Sequence, residues 1–219
     1  MNKLSTPVIV VIITFIVGTL SVTGWYFYRE SQRVQIILPK ATWEPIFFKG
    51  INQATNLAEL TELRKTSLRK SDIEIRIWRG FSLSPLEAVI LKRTYGQWSA
   101  LYIKTDEPTE FKEVELKKLN SPKSGWESFW KQITDKGILM LPDPSEINCE
   151  IFGFDNIGYV VEINQDKVYR TYMYSGAKCS EAKQMEEIGE IIGLEFDSGE
   201  EECKTTEWFA CMTLRKSIK

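Results

Sequence analysis

Between Pro7 and Tyr28 the chain runs for 22 positions without a charged residue. As a helix, a run of that length spans roughly 33 Å, against about 30 Å of bilayer hydrocarbon. A helix buried in a soluble core is rarely apolar on every face for so long. Trp25, Tyr26, Phe27 and Tyr28 close the run with rings suited to the lipid–water boundary, and Arg29, Glu30 and Arg33 follow. The run reads as an uncleaved signal anchor, with the lipid bilayer as the partner of residues 7–28. A cleaved signal peptide, with Val22 and Gly24 as its small-residue site, is the competing reading. The length of the run and its aromatic end favour retention. No cysteine lies within or just after the run, so a lipid anchor has no support.

Flanking charge does not decide the orientation. Lys3 and the α-amino group favour an N-terminus inside the cell, while Arg29, Arg33 and Lys40 pull the opposite way. The cysteines arbitrate. Cys149, Cys179, Cys203 and Cys211 are even in number, lie beyond the run and form no C-x-x-C pair. Four reduced, buried thiols are one reading. The preferred reading is two disulfides, and hence a domain outside the cytoplasm. A turn expected at Asn164–Gln165–Asp166 brings Cys149 and Cys179 near the same open end of a hairpin. The expected pairing is therefore Cys149–Cys179, with Cys203–Cys211 as a local link in the tail.

The domain order expected is a short flank at 1–6, the span at 7–28, a stalk at 29–50 interrupted by Pro39 and Pro45, and an α+β domain over 51–219. Within that domain, Leu57, Leu60 and Leu63 predict an amphipathic helix over 54–70. Strict alternation in 72–81 predicts a half-buried strand, with Ile73, Ile75 and Ile77 on one face and Glu74, Arg76 and Trp78 on the other. Residues 86–94 and 98–105 flank a short Gly96 turn and predict a hairpin. A more exposed strand follows at 111–119. Trp126, Phe129, Trp130 and Ile133 fall at helical spacing, with Ser124 as cap and Gly137 as stop. Residues 138–142 read as a short strand ended by proline. A second hairpin joins 159–163 to 167–174, and a helix over 180–196 carries Met185, Ile188, Ile191 and Ile192 on one face. Short connections between neighbouring strands make this a mainly antiparallel sheet with about three packed helices, not a parallel α/β sheet. The recurrence of hairpin-then-helix is too short to establish an internal duplication.

Composition removes whole classes of function. The chain has no histidine, which excludes Ser-His-Asp and Cys-His catalysis and His-ligated zinc. A formal net charge of -2 argues against a nucleic-acid partner. No nucleotide-binding or metalloprotease motif occurs, and no cofactor is expected. Residues 179–207 hold 10 acidic and 2 basic side chains. That excess reads as a solvated helix face and loop, with a calcium site near Asp197, Ser198, Gly199 and the three following glutamates as the lesser alternative.

The candidate binding residues are Arg76 and Trp78 on one strand and Arg170, Tyr172 and Tyr174 on another. Arginine with tyrosine and tryptophan is the composition of binding hot spots. The competing view is that these side chains only stabilise the sheet or form its core. The function expected is a membrane-anchored, extracytoplasmic binding or interaction module. A carboxylate-dependent envelope hydrolase is the first alternative, and it requires a deep cleft with two convergent carboxylates. A cytoplasm-facing single-pass protein is the second.

Overall fold

The computed structural model describes residues 19–26, 28, 33–40, 43–81, 84–151 and 158–196. Residues 19–26 are helical. Most of the uncharged run, the acidic stretch at 197–202, Cys203 and Cys211 lie outside the described residues. Among the described residues no helix is long and apolar enough to cross a membrane.

In chain order the elements are β1 (Gln35–Ile37), α1 (Glu44–Leu57), β2 (Ile73–Arg79), β3 (Glu87–Thr94), β4 (Gln97–Thr105), β5 (Val114–Leu119), α2 (Trp126–Asp135), β6 (Glu150–Ile151), β7 (Tyr159–Gln165), β8 (Val168–Tyr174), β9 (Ala177–Lys178) and α3 (Ser180–Phe196). Seven strands form one sheet in the order β1-β8-β7-β2-β3-β4-β5, and β6 pairs with β9 separately. All neighbours in the large sheet are antiparallel except β1 and β8, which run parallel. The fold is therefore mixed α+β, as the strand spacing implied.

Both hairpins close through two-residue turns whose central residues have positive φ. Tyr95 and Gly96 sit at 53° and 78°, and Asp166 and Lys167 at 51° and 64°. That geometry matches the right-handed twist of the flanking strands. The second turn lies further along the chain than Asn164–Gln165–Asp166. Gln165 consequently still pairs, opposite Val168, and Tyr159 stands opposite Tyr174.

Helices cover both faces of the sheet. On one side Phe48, Ile51 and Ala54 of α1 pack with Leu63 against Trp78, Ala88, Ile90, Val160 and Tyr169. On the other, Phe129 and Ile133 of α2 and Met185, Ile188 and Ile192 of α3 pack against the three isoleucines of β2, Val89, Leu91 and Tyr102. All seven residues of β2 are buried. The half-buried strand expected from alternation is thus corrected to a central strand with two covered faces. The cover comes from a helix that the proline-punctuated lead-in concealed. Pro45 stands in the first turn of α1, where the missing N–H would have had no helical acceptor anyway. The helix expected over 54–70 instead ends at Leu57. Glu59 takes φ of 55°, and a single 3-10 turn at Leu63–Lys65 follows.

Residues 138–142 are not a strand. Met140 and Leu141 donate their amides to the Gly137 carbonyl, so this segment is a compact turn and loop. The helix expectation at 180–196 matches α3, whose buried side includes Gly189 and Gly193 as well as the apolar stripe. Cys149 and Cys179 are disulfide-bonded, with Cα atoms 5.4 Å apart. The bond continues the β6–β9 ladder, in which Glu150 faces Lys178 and Ile151 faces Ala177.

Candidate functional site

The five side chains singled out in the sequence do not form one surface. Arg76 and Trp78 face α1, whereas Tyr172 and Tyr174 belong to the core beneath α2 and α3. Arg76, Trp78, Tyr172 and Tyr174 are buried. An outward aromatic–arginine face is therefore not what the strands present.

On the α1 side these residues belong to a buried polar network. Glu162 lies opposite Arg76 in the β2–β7 pair. It accepts from the Trp78 indole at 2.7 Å and from the Tyr169 hydroxyl at 3.0 Å. Arg76 donates to Glu74 through Nε at 2.8 Å and Nη2 at 2.7 Å, and to the Thr61 carbonyl at 2.8 Å. Lys92 reaches the other oxygen of Glu74 at 3.0 Å. Burial pushes the Glu162 carboxyl above the ordinary carboxylate range, against the opposing pull of Arg76. Asn164 ties the network to the segment after α1, donating to the Leu63 and Thr66 carbonyls at 3.0 and 2.7 Å.

On the opposite side the β8 triplet holds the 138–142 loop. Arg170 donates to the carbonyls of Leu139 and Leu141. Tyr172 donates to the Ile138 carbonyl at 2.7 Å and Tyr174 to the Pro142 carbonyl at 2.6 Å. Burial raises both phenols above their ordinary value. These contacts are arginine and tyrosine used as loop fasteners, with their polar ends already engaged.

An open site lies elsewhere. A cleft of about 510 Å³ opens between α1, the end of β2 and the β4–β5 connection. Its apolar walls are Trp43, Ile46, Phe47, Phe81, Leu86 and Phe111. Helical spacing aims Ile46, Lys49, Gly50 and Gln53 at this cleft, while Phe48, Ile51 and Ala54 turn to the sheet. Phe47 and Phe81 meet edge to face at 4.7 Å, which ties the helix to the strand end. Gly158 forms part of the floor: a Cβ there would stand 2.7 Å from that of Ser175, so only glycine allows the approach.

No family model, curated protein or solved structure matches this chain. The chemistry of the cleft must be judged from its walls. Its polar groups are few and partly committed. The Trp43 indole donates to Asp143 at 3.1 Å, and the Gln53 amide donates to the Phe111 carbonyl at 2.8 Å. Lys49 is the charged residue of the described lining, and no carboxylate lines it. Among the described residues no group of three Cys, Asp or Glu side chains could hold a metal ion. The calcium alternative falls at 197–202, outside the described residues.

The sequence reading missed this cleft because it took residues 29–50 as a stalk. The available signal was the Phe47–Phe48 pair beside Gly50, two adjacent rings that a helix directs to different sides.

Proposed function

We propose that the chain is a membrane-anchored binding module, held by residues 7–28, with its α+β domain outside the cytoplasm and the aromatic cleft as its binding site. The observation that carries this reading is the cleft itself: apolar walls, a size within the about 300–1,000 Å³ of ligand sites, and few polar groups to set orientation. The binding surface is assigned to the cleft rather than to Arg76, Trp78, Arg170, Tyr172 and Tyr174, whose polar ends are engaged inside the fold. The Cys149–Cys179 disulfide supports the extracytoplasmic placement, because such bonds persist in oxidising compartments. It equally weighs against the cytoplasm-facing alternative. The carboxylate hydrolase is disfavoured because the described lining of the cleft offers no carboxylate pair.

Two measurements test the reading on protein from native membranes. Alkylation without reduction, followed by peptide mapping, should find Cys149 and Cys179 blocked and the uncharged run still attached. Free thiols at both positions would remove the extracytoplasmic placement. Native mass spectrometry of the gently extracted protein should show a bound small molecule that Gly50→Leu expels. An identical spectrum for a folded Gly50→Leu protein would remove the cleft as the binding site.

A further inference from the structure

The cleft is chemically lopsided. Its depth is aromatic and aliphatic, and its described lining holds one cation, Lys49, and no anion. Lys49 is exposed, and among the described residues it makes no ion pair. Few side-chain donors accompany the apolar walls: Trp43 is engaged by Asp143 and the Gln53 amide by Phe111, with the hydroxyls of Thr109 and Ser175 beside them. A ligand with a run of internal amides would bring more N–H and C=O groups than these few side chains can meet, each a penalty away from water. A hydrocarbon chain brings none. A polar head must then remain at the mouth, where Lys49 stands one helical turn from Gln53 and beside Ile46, itself 73% exposed.

We propose that the cleft binds a single-chain alkyl carboxylate, with its chain among Phe47, Phe81, Leu86 and Phe111 and its head paired with Lys49. This rests on the reading of the cleft as the binding site. The single positive charge selects a monoanion. A dianionic phosphate head would leave one charge without a counterpart in the described lining. The Phe47–Phe81 edge-to-face pair and the Phe111 ring wall the space that one chain would occupy as its passage. Gly50 keeps the helix side of that passage open: a methyl added there meets only Leu86 Cδ2, at 3.9 Å.

The test uses the full chain in nanodiscs of zwitterionic phosphatidylcholine. A long-chain carboxylate carrying a diazirine near its methyl end is photolysed, and adducts are mapped by mass spectrometry. Adducts are expected on α1 and around Phe111. Straight-chain carboxylates of increasing length should compete with the probe. Competitors are compared at equal free aqueous concentration, so that partitioning into the nanodisc lipid is removed. Each added methylene should then tighten competition about four-fold, the equivalent of about 0.8 kcal/mol, until the chain fills the cleft and the gain stops. Lys49→Ala should weaken carboxylates by up to about five-fold and leave matched alcohols unchanged. Gly50→Leu should abolish the cleft adducts. If that variant does not fold, Gly50→Ala, whose methyl fits, should still reduce them. Alcohols competing as well as carboxylates, or alkyl phosphates competing better, would overturn the ligand assignment and leave the cleft reading standing. Adducts confined to residues 7–28 for both the carboxylate probe and a neutral alkyl probe would overturn both.

Discussion

The indole of Trp78 donates to Glu162 at 2.7 Å, joining two residues 84 positions apart within the layer between the sheet and α1. Trp78 is on β2 and Glu162 on β7, and the Tyr169 hydroxyl occupies the other carboxylate oxygen. Both Trp78 and Glu162 are buried. A side chain that strand alternation places outward is thus a hydrogen-bond donor at the centre of the fold.

Truncating that donor should be costly. Trp78→Ala is expected to destabilise the domain by about 3–5 kcal/mol, the range for a fully buried large aromatic. Trp78→Phe keeps most of the packing but leaves Glu162 short of a donor, and should lose roughly 1–3 kcal/mol. Urea unfolding measures both. A Trp78→Phe variant as stable as the parent would show that the hydrogen bond contributes nothing.

Glu162 should make stability depend on pH in a defined direction. Burial raises its folded pKa above that of the unfolded chain, with Arg76 opposing but not prevailing. Such a group contributes fully below its unfolded value, and the contribution is lost as pH rises through the folded value. Stability should therefore fall as pH rises from about 4.3, the ordinary carboxylate value. In Glu162→Gln the amide oxygen can still accept from Trp78 and the amide nitrogen can donate to the Tyr169 oxygen. This variant should lack that part of the slope. Parallel pH–stability curves for the two proteins would contradict the expectation.

Arg170 should behave as a structural residue. Arg170→Ala leaves the Leu139 and Leu141 carbonyls without their donor, at roughly 1–3 kcal/mol for each group left buried and unpaired. Arg170→Lys should recover little, because an ammonium does not reproduce the fork that reaches two carbonyls. Tyr172→Phe, which removes only the bond to Ile138 and leaves one carbonyl unpaired instead of two, should cost roughly 1–3 kcal/mol, less than Arg170→Ala. Thermal melts rank the three, and the order Ala, Lys, Phe from least to most stable is the expected result.

The disulfide should hold the start of α3 to the short β6–β9 ladder. Cys149 and Cys179 are 30 positions apart. Closing a loop of that size stabilises by about 3–4 kcal/mol in the chain-entropy model. Replacing both cysteines by alanine should lower stability by that order. It should also speed amide exchange in β6 and β9 before the central strands respond. Unchanged exchange there would mean that the ladder stands without its covalent link.

The local pattern of the chain was enough for several elements. The apolar stripe of α3 and the Trp126–Ile133 stripe of α2 report a helical period directly, because side chains three and four apart share a face. The Gly96 turn fixes one hairpin for an equally local reason, since positive φ there is free of side-chain strain. The Cys149–Cys179 pairing expected from the sequence is present, but hairpin register does not produce it. The β7–β8 pairing would put residue 184 opposite Cys149, and the bond instead continues the separate β6–β9 ladder. The same local logic failed for residues 29–50. Pro45 reads as a breaker unless one knows that it stands in a first turn.

What the sequence by itself determined is therefore the two hairpins, the strand that became β2, helices α2 and α3, the largely antiparallel pairing and the chemistry excluded by having no histidine. What only the tertiary structure decided is the strand order, the burial of both faces of β2 and the site. Placing β7 beside β2 depends on contacts between distant segments, which leave no trace in a local period. Alternation separates two faces of a strand but does not say whether one of them meets water. That was settled by α1 packing over Trp78 and by the segment after α1, whose Thr61 carbonyl accepts from Arg76. Burying these polar groups is tolerable because the Glu74 carboxylate, the Arg76 guanidinium and the Trp78 indole each have a partner, although Arg76 Nη1 has none. The cleft arises in the same way, from helix, strand end and loop meeting around Phe47, Phe81 and Phe111.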